Sequence, residues 1–260
     1  AVMESKDIKH GPLEAIITAD EETGMFGAFG LKAGELDGEI LLNLDSEDEG
    51  ELYIGCAGGE DLTATLKYKE VETDPEDIAF KVVLKGLRGG HSGLEINQGR
   101  ANANKLMVRF MNQVIAYDEA CLVSWKGGNM RNAIPRECEV VVTIPASEES
   151  DFLQYVQECE TLWNEEYHVT ETPISFKAER VELPKMMVPE EIRDNLVDAI
   201  YACHNGVLRM IPTIPDTVET SSNLAIVTIG DGKAEIKILT RSSRDSMKDY
   251  LNTSLESCFS

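Results

Sequence analysis

Residues 78–86 read Ile78-Ala79-Phe80-Lys81-Val82-Val83-Leu84-Lys85-Gly86, and we interpret this stretch as the first strand of a mixed fold. The pattern downstream predicts helix 99–117, strand 120–126, strand 137–144, helix 149–163 and strand 173–179. Helical spacing indicates the two helices, through Leu106, Met107, Phe110 and Val114, and through Phe152, Val156 and Cys159 or Leu162. This β-α-β-β-α-β order is that of ferredoxin-like domains.

A weaker version of the same pattern follows in the last third of the chain. It predicts helix 189–204, strands 206–211, 222–229 and 234–240, and helix 243–258. Pro189 suits a first helical turn, and Asn205-Gly206 suits a helix end. From about residue 62 polar and apolar residues alternate as in a strand. We therefore predict an α+β domain over residues 61–258, in two halves at about 61–183 and 184–258.

The first sixty residues have a different character. Residues 13–19 and 40–44 are short apolar runs, typical of buried strands in a parallel sheet. Acidic residues follow each run directly, Asp20-Glu21-Glu22 after the first and Asp45 after the second. In open α/β sheets ligands bind outside the carboxyl ends of the strands, so these carboxylates are candidate site residues. The fold class is therefore α/β, with part of a parallel-sheet domain at residues 1–60.

The overall charge excludes some partners. The chain has 47 acidic and 24 basic residues and a net charge of −23, which repels nucleic acid and anionic membrane surfaces. No apolar run approaches the ~20 residues that span a bilayer. Six scattered cysteines without a C-x-x-C pair favour reduced thiols and a cytoplasmic location.

The residues alone leave the chemistry open. Two adjacent carboxylates after a buried strand suit a hydrolytic metal site, in which one binds the metal and the other accepts a proton from water. They equally suit a helix N-terminus. His91, between glycines, can be structural or presented at a surface. Asn132 can be a turn residue, and Arg241 can pair with surface acids.

Several separate blocks together resemble the aminoacyl-histidine dipeptidases, which cleave carnosine-like Xaa-His dipeptides. That family belongs to the co-catalytic zinc peptidase clan with aminoacylases and related carboxypeptidases. The blocks lie in the same order over nearly the whole chain: residues 10–14 (His-Gly-Pro-Leu-Glu), 20–24 (Asp-Glu-Glu-Thr-Gly), 44–47 (Leu-Asp-Ser-Glu), 55–59 (Gly-Cys-Ala-Gly-Gly), 85–93, 102–106, 131–137, 218–221 and 241–242.

The resemblance implies a zinc-dependent dipeptidase with two metal ions and a lid domain. By position, Glu21 corresponds to the general base, Glu22 to a ligand of one zinc and Asp45 to a ligand of the other. The resemblance further implies that His91 crosses a cleft to stabilise the oxyanion, in its own subunit or in another one. Asn132 and Arg241 correspond to contacts with the substrate carboxylate.

The family's site also needs a His-x-Asp motif before the Glu-Glu pair and a late histidine, and neither is present in the sequence. We therefore expect an internal fragment that is inactive alone. The alternative is a non-catalytic dimerisation or peptide-binding module. A homodimer in which His91 reaches the site of the other subunit is the favoured assembly. In the competing arrangement, the two halves of the lid pack together within one chain and mimic such a dimer. The separation of His91 and Arg241 within one chain discriminates between them.

Overall fold

The computed structural model describes residues 2–21, 25–45, 49–53 and 55–260. The chain divides into two compact units, residues 1–55 and residues 56–260. The second unit holds all the strands found in the described ranges, and its first strand begins at Gly58.

The first unit has little regular structure where it is described. Its elements there are a 3-10 turn at Val2–Glu4 and a short helix, α1 (Phe26–Phe29). Neither residues 13–19 nor residues 40–44 form a strand, contrary to the prediction from their apolar runs, and Ile17 and Leu44 are 94% and 90% exposed. A strand requires a neighbour that accepts and donates its backbone hydrogen bonds. No described segment pairs with these two runs.

The first half of the second unit has the predicted ferredoxin-like succession. Its main elements are β3 (Asp77–Lys85), α2 (Ala103–Tyr117), β5 (Cys121–Gly127), β7 (Cys138–Pro145), α3 (Glu149–Glu166) and β8 (Ser175–Val181), with short strands β4 (Gly90–His91) and β6 (Ala133–Ile134) in its loops. The main strands lie in the order β5-β7-β3-β8, and each neighbouring pair is antiparallel.

The second half continues the same sheet. It comprises α4 (Glu190–Ala202), β10 (Gly206–Met210), β11 (Val218–Gly230), β12 (Lys233–Ser242) and α5 (Asp245–Cys258), while β1 (Gly58–Lys67) pairs with β12. A minor sheet joins β2 (Val71–Glu72) to β9 (Met186–Met187). Three residue pairs connect β11 to β5, from Val227 opposite Gly127 to Ile229 opposite Trp125. An eight-stranded sheet therefore runs through both halves.

The core lies between this sheet and its helices. The helical face predicted for α2 is buried, with Leu106, Met107, Phe110 and Val114 at most 1% exposed. Phe110 contacts Phe152 of α3 and Phe176 of β8 through ring–ring packing at centroid distances of 5.7 and 5.0 Å. Asn102 caps α2, because its side chain accepts hydrogen bonds from the N–H groups of Asn104 and Lys105.

Lys105 connects the two halves on the helical side. Its ammonium donates to the carbonyl oxygens of Ile200 (3.0 Å), Tyr201 (2.7 Å) and Cys203 (2.9 Å) at the C-terminal end of α4. These carbonyls have no partner within the helix, and a cation there also interacts favourably with the helix dipole. Burial lowers the pKa of Lys105, but three acceptors compensate for the lost hydration of the ammonium.

We predict that Lys105→Met lowers the free energy of unfolding by about 2 kcal/mol, because charged hydrogen bonds to the end of α4 are lost while the aliphatic stem remains. Urea unfolding measures the change. Lys177→Met is the matched control. The Lys177 side chain is 61% exposed and pairs with Glu160 at the surface, so its loss should cost about 0.5 kcal/mol or less. Equal losses in the two variants would contradict a role for Lys105 at the junction.

Candidate active site

The predicted metal-site carboxylates lie in the first unit. Glu21 and Asp45 are exposed, and Glu22 lies outside the described residues. Asp45 donates its backbone N–H to the side chain of Asn43 at 3.0 Å. Among residues 2–21, 25–45, 49–53 and 55–260, no three His, Cys, Asp or Glu side chains lie close enough together to hold a metal ion. The residues that the structure describes thus do not form a complete zinc site.

His91 is positioned by the turn that follows it. The residue lies in β4, which pairs with β6 through His91 and Ala133. Its Nδ1 accepts hydrogen bonds from the backbone N–H groups of Gly93 (3.2 Å) and Leu94 (3.1 Å). A neutral imidazole carries one ring proton, so two donors at Nδ1 fix that proton on Nε2. The ring N–H of His91 is therefore at Nε2, on the side of the ring away from its own turn.

The same turn is closed by an ion pair. The Glu95 carboxylate accepts the backbone N–H of His91 at 2.7 Å and pairs with Arg100 at 2.7 Å. Arg100 also donates to the carbonyl oxygen of Gly89. The His91 N–H, more than the Arg100 charge, holds the pKa of Glu95 below its usual value. These contacts hold the backbone at Gly89 and His91 in place.

We predict that Glu95→Gln loosens this turn. The folded-state pKa of Glu95 is lowered, so the carboxylate's contribution is present above the usual pKa of 4.5 and is lost as pH falls through the lowered value. At pH 7 the variant should raise the hydrogen-exchange rate of the His91 amide by about tenfold, since charged hydrogen bonds are stronger than neutral ones. NMR measures this rate. Glu179→Gln, at an exposed site on β8, is the control and should leave the rate unchanged.

Asn132 lies in a loop that the second half of the unit holds in place. Asn223, buried in β11, donates from Nδ2 to the carbonyl oxygens of Arg131 (3.2 Å) and Ala133 (2.8 Å). On the other side, Ser92 donates its N–H to the carbonyl oxygen of Asn132 at 2.8 Å. The backbone at Asn132 is thus fixed between the His91 turn and strand β11.

His91 and Asn132 line one cavity. Its volume is about 620 Å³, and its wall includes basic and acidic side chains beside them: Arg88, Lys126, Arg136, Glu137 and Glu139. The cavity is the size of ligand pockets in general. The structure therefore brings two of the predicted site residues to a shared concave surface.

Arg241 lies near the end of β12, with Gly59 of β1 and Ser221 of β11 opposite it. Its Nε is buried and makes no hydrogen bond among the described residues. Burial lowers the pKa of Arg241, and the nearby Asp61 carboxylate acts in the opposite direction. A buried N–H without an acceptor costs free energy. An anionic ligand could supply the acceptor for Nε of Arg241.

His91 and Arg241 meet at Gly93. A Cβ on Gly93 would lie 3.1 Å from Cε1 of His91 and 3.2 Å from both Cδ and Nε of Arg241. The two side chains are therefore no farther apart than the sum of two such contacts. This distance is short enough for one dipeptide to contact both, which favours the arrangement inside one chain over exchange of His91 alone.

We predict that Gly93→Ala displaces His91 and Arg241, because carbon contacts are usually about 3.5–4.0 Å. The side-chain NMR signals of His91 and Arg241 should shift while the unfolding temperature changes little. Gly58→Ala is the control, since its added methyl group would lie 3.7 Å from the nearest atom, the carbonyl oxygen of Ser242. Unchanged His91 and Arg241 signals in Gly93→Ala would contradict the contact.

Comparison with known proteins identifies several similar chains. The Peptidase dimerisation domain family matches residues 82–171. The cytosol non-specific dipeptidase of Escherichia coli (strain K12) is 39% identical over 257 residues, which are 99% of this chain and 53% of the relative. The chain is thus homologous to about half of this relative. The crystal structure of aminoacylhistidine dipeptidase from Vibrio alginolyticus matches with a TM-score of 0.84 and 41% identity, over 99% of this chain and 52% of that one.

These matches confirm the resemblance to dipeptidases and the mixed α/β fold class. The chain spans about half the length of the dipeptidase relatives it matches. In the described part of the chain, no helix is both long and apolar enough to cross a membrane.

Sequence reasoning missed the residues that support the site. Glu95, Arg100 and Asn223 were not singled out, although each makes hydrogen bonds to a loop that carries His91 or Asn132. One local signal was available for Glu95. The sequence Ser92-Gly-Leu-Glu95 has the spacing of a capping box, although the Glu95 carboxylate accepts the N–H of His91, one residue before Ser92.

Proposed function

We propose that the intact protein hydrolyses Xaa-His dipeptides and that residues 56–260 supply its lid, which binds the substrate carboxylate and the developing oxyanion. The observation that carries the proposal is the placement of the His91 and Arg241 side chains together beside Gly93. The homology to two dipeptidases supports the reaction class.

His91 has the form that oxyanion stabilisation requires. With Nδ1 occupied by two backbone N–H groups, Nε2 is the donor that can bind the carbonyl oxygen of the scissile bond. A donor already held in place strengthens its bond as negative charge develops in the transition state. In this role His91 lowers the barrier without transferring a proton.

Arg241 suits the C-terminal carboxylate, because a guanidinium can bind both oxygens of a carboxylate. Its distance from His91 also limits substrate length. Successive Cα atoms are about 3.8 Å apart, so the proximity of the two side chains suits a single residue between a carbonyl oxygen on His91 and a carboxylate on Arg241. Cleavage one residue from the C-terminus follows, and Asn132 is proposed as a further contact to that end of the substrate.

The metal chemistry is a further part of the proposal. Glu22 and Asp45 are proposed as ligands of two zinc ions and Glu21 as the general base, by their positions in the family's motifs. The acidic residues alone do not complete this site within the described part of the chain.

A homodimer and a cytoplasmic location are also proposed. The matched Peptidase dimerisation domain supports the dimer. Because His91 and Arg241 lie together, a lid domain that reaches the catalytic domain of a partner subunit would place both side chains at the same active site. The relative named a cytosol dipeptidase supports the location.

The test is hydrolysis of β-alanyl-histidine by the intact protein. We predict that His91→Ala lowers kcat by about 100-fold or more with little change in KM, since the lost donor acts mainly in the transition state. His168→Ala is the control, because His168 is exposed in the turn after α3. A chelator-sensitive wild-type activity with the same kcat in both variants would refute the role of His91. No hydrolysis of any dipeptide would favour a non-catalytic binding module.

A further inference from the structure

A second arginine lies beside the proposed carboxylate site. The Arg131 guanidinium extends to strand β1, where Nη2 donates to Oγ1 of Thr63 at 2.6 Å and Nη1 lies 3.2 Å from Oδ1 of Asp61. Asp61 is two residues from Gly59, the residue paired with Arg241, so Asp61 and Arg241 project from the same face of the sheet. Asp61 is thus a neighbour of both arginines.

Each guanidinium has one buried nitrogen that makes no hydrogen bond among the described residues. These nitrogens are Nε of Arg241 and Nη1 of Arg131. The contact of Nη1 with Asp61 is an ion pair whose geometry does not make it a hydrogen bond. Buried donors are rarely left unpaired in proteins, and two of them beside one half-exposed carboxylate indicate a missing acceptor.

The charges point to the nature of that acceptor. Two guanidiniums and the single Asp61 carboxylate leave one positive charge in a protein whose net charge is −23. A monoanionic ligand would balance this charge and could supply the hydrogen-bond acceptor that these two nitrogens lack. The position of Arg131 is well defined, because Asn223 holds its carbonyl oxygen and Thr63 holds its side chain.

We propose that Arg131 and Arg241 together bind one carboxylate, with Asp61 as the fixed counter-ion that keeps Arg131 in place. That the carboxylate is the C-terminus of a dipeptide rests on the function proposed above. Two guanidiniums on different elements fix the orientation of the carboxylate more strictly than one, and Arg131 lies next to Asn132, the other proposed contact. Arg131 is therefore a residue that determines specificity for a free C-terminus.

Binding to the 260-residue chain tests the pair directly. N-acetylglycine, a carboxylate monoanion, is titrated into ¹⁵N-labelled protein, with N-acetylglycinamide as the uncharged comparison. The Nε–H signals of both Arg131 and Arg241 should shift with the acid and not with the amide. Arg131→Ala should weaken binding of the acid by about tenfold or more, the usual effect of losing a charged hydrogen bond. Arg180→Ala is the control, since Arg180 makes a comparable ion pair with Glu149 at an exposed site.

The outcomes separate this inference from the proposed function. Equal binding of acid and amide, or an unchanged affinity for the acid in Arg131→Ala, overturns the paired site even if the intact protein is an active dipeptidase. In the intact enzyme, Arg131→Ala should raise KM for a dipeptide more than it raises KM for the corresponding dipeptide amide. If the intact protein cleaves no dipeptide but the acid still shifts both arginines, the carboxylate site stands and the proposed substrate is wrong.

Discussion

The pairing of β5 with β11 is the contact on which the arrangement of the site depends. Only three residue pairs form this ladder, yet they place the end of a strand in the first half beside the end of a strand in the second. Without a neighbour, β5 would expose a row of unpaired backbone groups. Once the pair forms, the loop after β5 must cross to strand β11, where Asn223 receives it through two hydrogen bonds.

Polar contacts then connect β11 to the site. The loop held by Asn223 contains Asn132, whose carbonyl oxygen accepts the N–H of Ser92 in the His91 turn. On β12, Arg241 reaches Gly93 in that same turn. The site is thus assembled where loops from the first half lie on strands of the second. Neither half would form it alone.

Features that local interactions decide could be predicted from the sequence, whereas features that depend on contacts between distant segments could not. The helices and most strands of residues 77–258 were predictable because local spacing decides them, as for the buried face of α2. The runs at 13–19 and 40–44 were interpreted as strands from composition, but strands depend on partners that composition does not supply. Likewise, His91 and Arg241 were identified through family motifs, whereas their proximity at Gly93 depends on pairings between distant segments. The sequence also could not show that Nη1 of Arg131 lacks a hydrogen bond, because this depends on the groups that surround it in the fold.

A tryptophan at the junction between the halves can report their separation by its fluorescence. Of the chain's two tryptophans, Trp125 lies in the β5–β11 ladder opposite Ile229, with its indole N–H donating to Asn104 at 3.2 Å. Trp163 lies in α3, packed on Phe176 within the first half. Fluorescence from Trp125 would thus follow separation of the halves, and fluorescence from Trp163 would follow the integrity of the first half alone. With the other tryptophan replaced by phenylalanine, each event could be observed separately in the same molecule.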